Sequence, residues 1–167
     1  MRKLLALIAI CACLASASAI TADSGNMYVY PDGHDSAMLD AIEEARGTLP
    51  KALAAASTGA RSFAPSLTLK VTFEVESGAE HIWLDTIRRR GKGFSGRLAN
   101  EPRYIQNARL GTVMRFDEGA IMDWSLLASD GRAFGHYSTR VLLQKLPAAQ
   151  AAEYRKILTR TPTPPNW

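Results

Sequence analysis

Leu67, Leu69, Val71, Phe73 and Val75 alternate with Thr68, Lys70, Thr72, Glu74 and Glu76, the period of a strand with one buried and one wet face. Ser77-Gly78-Ala79 reads as a turn and His81 to Ile87 as the returning strand. A basic, Gly-containing stretch from Arg88 to Gly93 reads as the next turn. It leads to a strand from Phe94 to Ala99 that ends at Asn100-Glu101-Pro102. Three shorter strands, 112–116, 120–127 and 133–137, follow, with Asp117-Glu118-Gly119 and Ser129-Asp130-Gly131 as hairpin connections.

Upstream of this region the period changes to that of a helix. Asp35 or Ser36 supplies a cap, and Leu39, Ile42, Ala45 or Arg46, and Leu49 follow at helical spacing, with Asp40, Glu43 and Glu44 opposite them. Gly47 is the expected stop. Thr48 then caps a second helical stretch towards Ser57, with Pro50 in its first turn, and residues 57–66 form a Ser/Gly/Pro-containing connection. Downstream, Ser138 or Thr139 caps a short helix through Lys145. Pro147 starts a terminal helix whose apolar stripe is Ala151, Tyr154, Ile157 and Leu158. The order predicts an α+β fold: a curled or partly closed antiparallel sheet of about six strands with an N-terminal helix and C-terminal helices packed on it. Helix 36–46 is expected to lay its Leu39/Ile42 face on that sheet.

The chain opens like an export signal. Arg2 and Lys3 precede an apolar run from Leu4 to Leu14, and Ala17-Ser18-Ala19 has the small-x-small pattern of a signal peptidase site, which predicts cleavage before Ile20. The run is short of the roughly 20 residues that span a bilayer. The rival reading is a lipoprotein acylated at Cys13. Both cysteines, Cys11 and Cys13, lie inside the leader, so the processed chain has no disulfide and no thiolate chemistry. The expected organisation is a signal peptide at 1–19, an N-terminal loop at 20–34, one domain at 35–158 and a flexible Pro/Thr-rich tail at 159–167. The location that follows is the periplasm or the exterior.

Charge is unevenly spread. Residues 20–85 carry four basic and ten acidic groups, whereas 88–115 carry eight basic groups against Glu101 alone. The expectation is that the acidic helix and the basic hairpin neutralise each other across the fold. A polarised surface that attracts an anionic partner is the alternative. Export argues against nucleic acid as that partner.

Three clusters combine an ionisable group with a large ring: Glu80-His81-Ile82-Trp83, Asp123-Trp124 and Gly135-His136-Tyr137. His81, Asp123 and His136 are the candidates for acid–base chemistry. Glu80, Trp83, Asn100, Trp124, Tyr137 and Arg140 are the candidate binding residues, with Arg140 a candidate ion-pair partner for Glu80 or Asp123. His34 falls in the N-terminal loop. No H-x-H or H-E-x-x-H spacing occurs, so neither a metal nor another cofactor is expected. Gly91-Lys92-Gly93-Phe94-Ser95-Gly96 matches G-x-G-x-x-G, but a strand follows where a nucleotide site needs a helix N-terminus.

These segments together resemble the YegJ-like family, domain of unknown function 2314. The residues that carry the resemblance are Asp35 to Met38, Glu80-His81-Ile82-Trp83, Gly96 to Pro102, Asp123-Trp124 and Gly135 to Leu142. Thr112 and Pro50 depart from the family pattern. The resemblance implies a bacterial protein and supplies no catalytic residues. Some members resemble immunity proteins of toxin systems. The readings carried forward are an exported, non-catalytic binding module with a protein or an anionic cell-envelope ligand as partner, a hydrolase or acid–base enzyme, and a toxin-neutralising protein.

Overall fold

The computed structural model describes residues 35–167. The leader, its cleavage site, Cys13, the 20–34 loop and His34 lie outside the described residues.

Residues 36–56 form one continuous helix, α1 (Ser36–Ala56), and not the two expected stretches. Gly47 does not stop it, and Pro50 sits in its interior. The helix continues because Met38, Ala41, Ala45, Leu49, Ala52, Leu53 and Ala56 form one buried stripe across both halves. This is also not the Leu39/Ile42 face. Leu39 is 56% exposed, and the buried stripe is the side that carries Ala41, Ala45, Ala52 and Ala56. Asp35 is the cap residue without a side-chain cap bond, and its carboxylate pairs with Lys145.

Among the described residues eight strands form one open antiparallel sheet, so the fold is α+β. They are β1 (Ser57–Gly59), β2 (Ser62–Phe63), β3 (Leu67–Val75), β4 (Gly78–Arg90), β5 (Gly93–Leu98), β6 (Val113–Phe116), β7 (Ile121–Leu127) and β8 (Ala133–Gly135). The main order is β1-β2-β4-β3-β7-β8, with β5 on β4 and β6 on β5. The two strands beyond the expected six, β1 and β2, come from the segment read as a connection. The expected turn at 88–93 is mostly strand. Arg88 to Arg90 continue β4, and the reversal is confined to Gly91 (φ 60°) and Lys92.

Cross-strand partners share a face, so the register assigns every side chain to one of two sides. One side carries Leu67, Leu69, Val71, Ile82, Leu84, Leu98 and Trp124, all buried. There α1 and the 99–112 segment cover the sheet, with Ile105 and Ala108 packed on the core. β4 changes its alternation midway. Asp85 opposes Arg97 and Arg88 opposes Ser95, so three steps on β4 match two on β5. Thr86 absorbs the extra residue at φ 51°. Beyond it the buried positions are odd-numbered, with Ile87 buried while Arg88 and Arg90 are exposed.

The end of β8 is set by Gly135 (φ 76°) and His136 (φ 56°), which turn the chain into α2 (Tyr137–Leu142). A Cβ on Gly135 would stand 2.0 Å from the Trp124 carbonyl oxygen, so the close approach requires glycine. The last helix, α3 (Ala148–Lys156), buries Ala151, but Ile157 falls beyond its end and is 55% exposed. The 159–167 segment lies against the domain. Its neighbour Leu158 bridges Ala133, Gly135 N–H donates to the Pro162 carbonyl at 2.7 Å, and Trp167 packs on Trp124 with ring centroids 5.5 Å apart.

Pro50 removes one helical hydrogen bond and is itself exposed. Pro50→Ala is therefore expected to stabilise the domain by about 1–3 kcal/mol, read as a rise of several degrees in a thermal melt.

Candidate functional site

On the side of the sheet away from α1 the register aligns Trp83, Lys70 and Asp123 in one row across β4, β3 and β7. His81 and Thr72 form the adjacent row, and Thr68, Ser125 and Gly135 the one on the other side. Lys70 is thus the residue that joins two of the three clusters. The third arrives along the edge of β7, where His136 N–H donates to the Trp124 carbonyl at 2.9 Å. The His136 ring then folds back over the row. Its centroid is 4.7 Å from that of Trp83, and its Nε2 is 2.9 Å from Ser125 Oγ.

Asp123 is the acceptor around which this crossing is built. Its Oδ2 receives the Ser138 hydroxyl at 2.6 Å and the Ser138 N–H at 2.8 Å. Its Oδ1 receives the N–H groups of Trp124 at 2.8 Å and Tyr137 at 3.1 Å. Lys70 Nζ donates to Ser138 Oγ at 3.3 Å and stands 5.8 Å from the Trp83 ring centroid. Lys70, Asp123 and Ser138 are only 2%, 1% and 1% exposed, so Lys70 does not occupy the wet face that strict alternation assigned to it.

Burial sets the electrostatics. It pushes the Asp123 carboxyl up, against the Ser138 hydroxyl, the Lys70 charge and the backbone donors, which pull it down. Burial lowers Lys70, with Asp123 opposing. His136 is lowered to about 4, first by burial and then by the nearby charges of Arg140 and Lys70. His81 is lowered by burial and by Lys70, and its Nδ1 lies 2.9 Å from Thr72 Oγ1. Both imidazoles are neutral at pH 7.

The other singled-out residues hold segments together on different sides of the sheet. Glu80 is paired with Phe73 on the α1 side, where its carboxylate accepts the N–H groups of Arg103, Tyr104 and Ile105 at 2.7, 2.9 and 3.1 Å. Trp124 also faces α1, and its indole N–H reaches the Ala45 carbonyl and Thr48 Oγ1, each at 3.1 Å. The Tyr137 hydroxyl stands 3.0 Å from that of Thr48. Arg140 pairs with neither Glu80 nor Asp123. It donates to the Gly135 carbonyl at 2.9 Å and to the Thr159 carbonyl at 3.0 Å, because the edge at 135 and 159 presents carbonyls within its reach. Asn100 lies half-buried just after β5.

The trio His81, Asp123 and His136 shares this side of the sheet, but no hydrogen bond joins any two of its members. Sequence reasoning missed Lys70, whose alternating strand gave it the same signal as Thr68 and Thr72. Among the described residues, no three or more His, Cys, Asp or Glu side chains are placed to hold a metal ion. The G-x-G-x-x-G match spans a turn and β5. A Cβ on Gly93 would meet the Phe116 carbonyl at 2.6 Å, and one on Gly96 the Ile87 side chain at 2.8 Å, so these two glycines serve strand packing.

Among the described residues, the acidic helix and the basic hairpin do not neutralise each other through ion pairs. The acids of α1 lie on one side of the sheet, and Arg88, Arg90, Arg97 and Arg115 lie on the other. Among the described residues, no ion pair links Asp40, Glu43 or Glu44 to the basic strands.

His136 has a folded-state pKa depressed below its unfolded value near 6.5, so its contribution is fully present above pH 6.5 and is lost as pH falls towards 4. The wild-type chain is expected to lose up to about 3 kcal/mol from this group over that window, relative to a His136→Gln variant. Urea melts at a series of pH values measure the difference between the two slopes.

A family model described as "Uncharacterized protein conserved in bacteria (DUF2314)" matches residues 35–159. Neither a curated protein nor a solved structure matches the chain. The match begins at the cap of α1, ends on the Thr159 clamped by Arg140, and takes in all three clusters. The chain therefore belongs to the DUF2314 family of uncharacterized proteins conserved in bacteria.

Proposed function

We propose that this is an exported binding module without catalysis, which uses the side of the sheet that α1 leaves open. The observation that carries this reading is the division of labour between the two faces. Helix and loop cover one side, while the other presents Thr72, His81, Trp83 and four exposed arginines. Its most reactive-looking groups support the non-catalytic part. Both Asp123 oxygens are occupied by main-chain and Ser138 donors, and the Lys70–Ser138–Asp123 chain is closed to substrate by burial. Export rests on the leader, with Arg2, Lys3, the Leu4–Leu14 run and the Ala17-Ser18-Ala19 site.

Asp123→Ala, Glu80→Ala and Arg140→Ala are each expected to destabilise the fold by about 2–4 kcal/mol, seen as clear falls in melting temperature. Arg88→Gln, exposed, is expected to melt within about 0.5 kcal/mol of the parent. An Asp123→Ala protein that melts normally yet loses its cellular activity would refute the non-catalytic reading. Mass spectrometry of the periplasmic fraction is expected to find a chain that begins at Ile20.

A further inference from the structure

The outward side of β4, β5 and β6 holds four guanidinium groups, and among the described residues only that of Arg97 is paired with an acid. Ser62, Arg88, Ser95 and Arg115 are successive cross-strand partners and share this side. Arg90 and Arg97 stand on it two residues along β4 and β5. All four arginines are exposed. Arg97 forks onto Asp85 at 3.0 and 3.4 Å. Arg88 and Arg90 instead donate to the Ser62 and Ser95 hydroxyls, each at 3.3 Å. Among the described residues, Arg88, Arg90 and Arg115 enter no ion pair.

The geometry points to this surface as a docking site for a linear polyanionic glycan, a sugar chain bearing carboxylate or sulfate groups, and it rests on the binding role proposed above. Guanidinium forks match such groups in a bidentate manner. Strands about 4.8 Å apart set Arg88 and Arg115 roughly 10 Å from each other, so one chain meets several cations along its length. Trp83 and His81 continue the same side along β4 and supply ring surface for sugar.

An acidic protein fits less well, because interfaces between proteins centre on aromatic or aliphatic anchors and Val113 is the exposed apolar side chain this patch offers. A lipid surface fits less well too. Binding at a lipid surface draws on buried apolar area, and Val113 is again the exposed apolar side chain here.

The test is calorimetric titration of the full chain with heparin and with polygalacturonate at low ionic strength. Both are expected to bind, more weakly as salt is added. An Arg88→Gln/Arg115→Gln variant should melt as the parent does and bind either glycan about tenfold more weakly. A distant Arg132→Gln/Lys156→Gln variant should change affinity less than about twofold. Undiminished binding by the first variant, or an equal loss in the second, overturns the docking site. So does tighter binding of poly-glutamate, phosphatidylglycerol vesicles or single-stranded DNA than of either glycan. Shortening of the glycan by the parent protein would instead overturn the non-catalytic reading, and the affinity comparison would still decide the docking site.

Discussion

The carboxylate of Asp123 organises this fold. A chain leaving the edge of β8 must cross the end of β7, and its N–H groups there have no strand to pair with. Asp123 accepts those of Tyr137 and Ser138, together with the Ser138 hydroxyl and the Trp124 N–H. A buried carboxylate is costly unless its lone pairs are filled, and unpaired main-chain donors carry a similar cost. Each need is met by the other. The same crossing draws His136 over Trp83 and sends Arg140 to the Thr159 segment, so the C-terminal part of the domain is placed by one side chain of β7.

Two further carboxylate and indole contacts act in the same manner elsewhere. Glu80 gathers three successive N–H groups of the 103–105 segment, and Trp124 fastens the middle of α1 through Ala45 and Thr48. The clusters that first read as dispersed chemistry are thus spread over both sides of the sheet. The end of the open side at β4, β5 and β6 turns Arg88, Arg90, Arg97 and Arg115 to solvent, and it owes that character to register rather than to any local motif.

Much of this was legible where local pattern and burial agree. Strand 67–75 declared itself by alternation, and the hairpin turn at Ser129-Asp130-Gly131 by composition. Asp117-Glu118-Gly119, however, is not a hairpin connection: β6 pairs with β5 and β7 with β3 and β8, so it carries the chain across the sheet. Lys70 was not legible, because its burial comes from Asp123, Trp83 and Ser138, which lie far off in sequence. Helix α1 misled for a related reason. Gly47 and Pro50 weaken a helix on their own, yet a seven-residue buried stripe against the sheet outweighs both. The 159–167 segment looked disordered by composition, and its anchors, Arg140, Gly135 and Trp124, are again distant.

The extra residue in β4 has a consequence for how this strand tolerates change in length. Arg88 and Arg90 reach water only because Thr86 shifts the reading frame of inside and outside. Deleting one residue between Asp85 and Arg88 would restore regular pleating. Arg88 and Arg90 would keep their outward places opposite Ser95 and Gly93, and the residue left between Asp85 and Arg88 would face the core. A one-residue loss at the bulge thus removes only the bulge, whereas loss of Arg89 would move Arg90 to the core side opposite Phe94. Chains that keep this fold are therefore expected to tolerate loss of one residue at the bulge and not in the regular stretch beyond it.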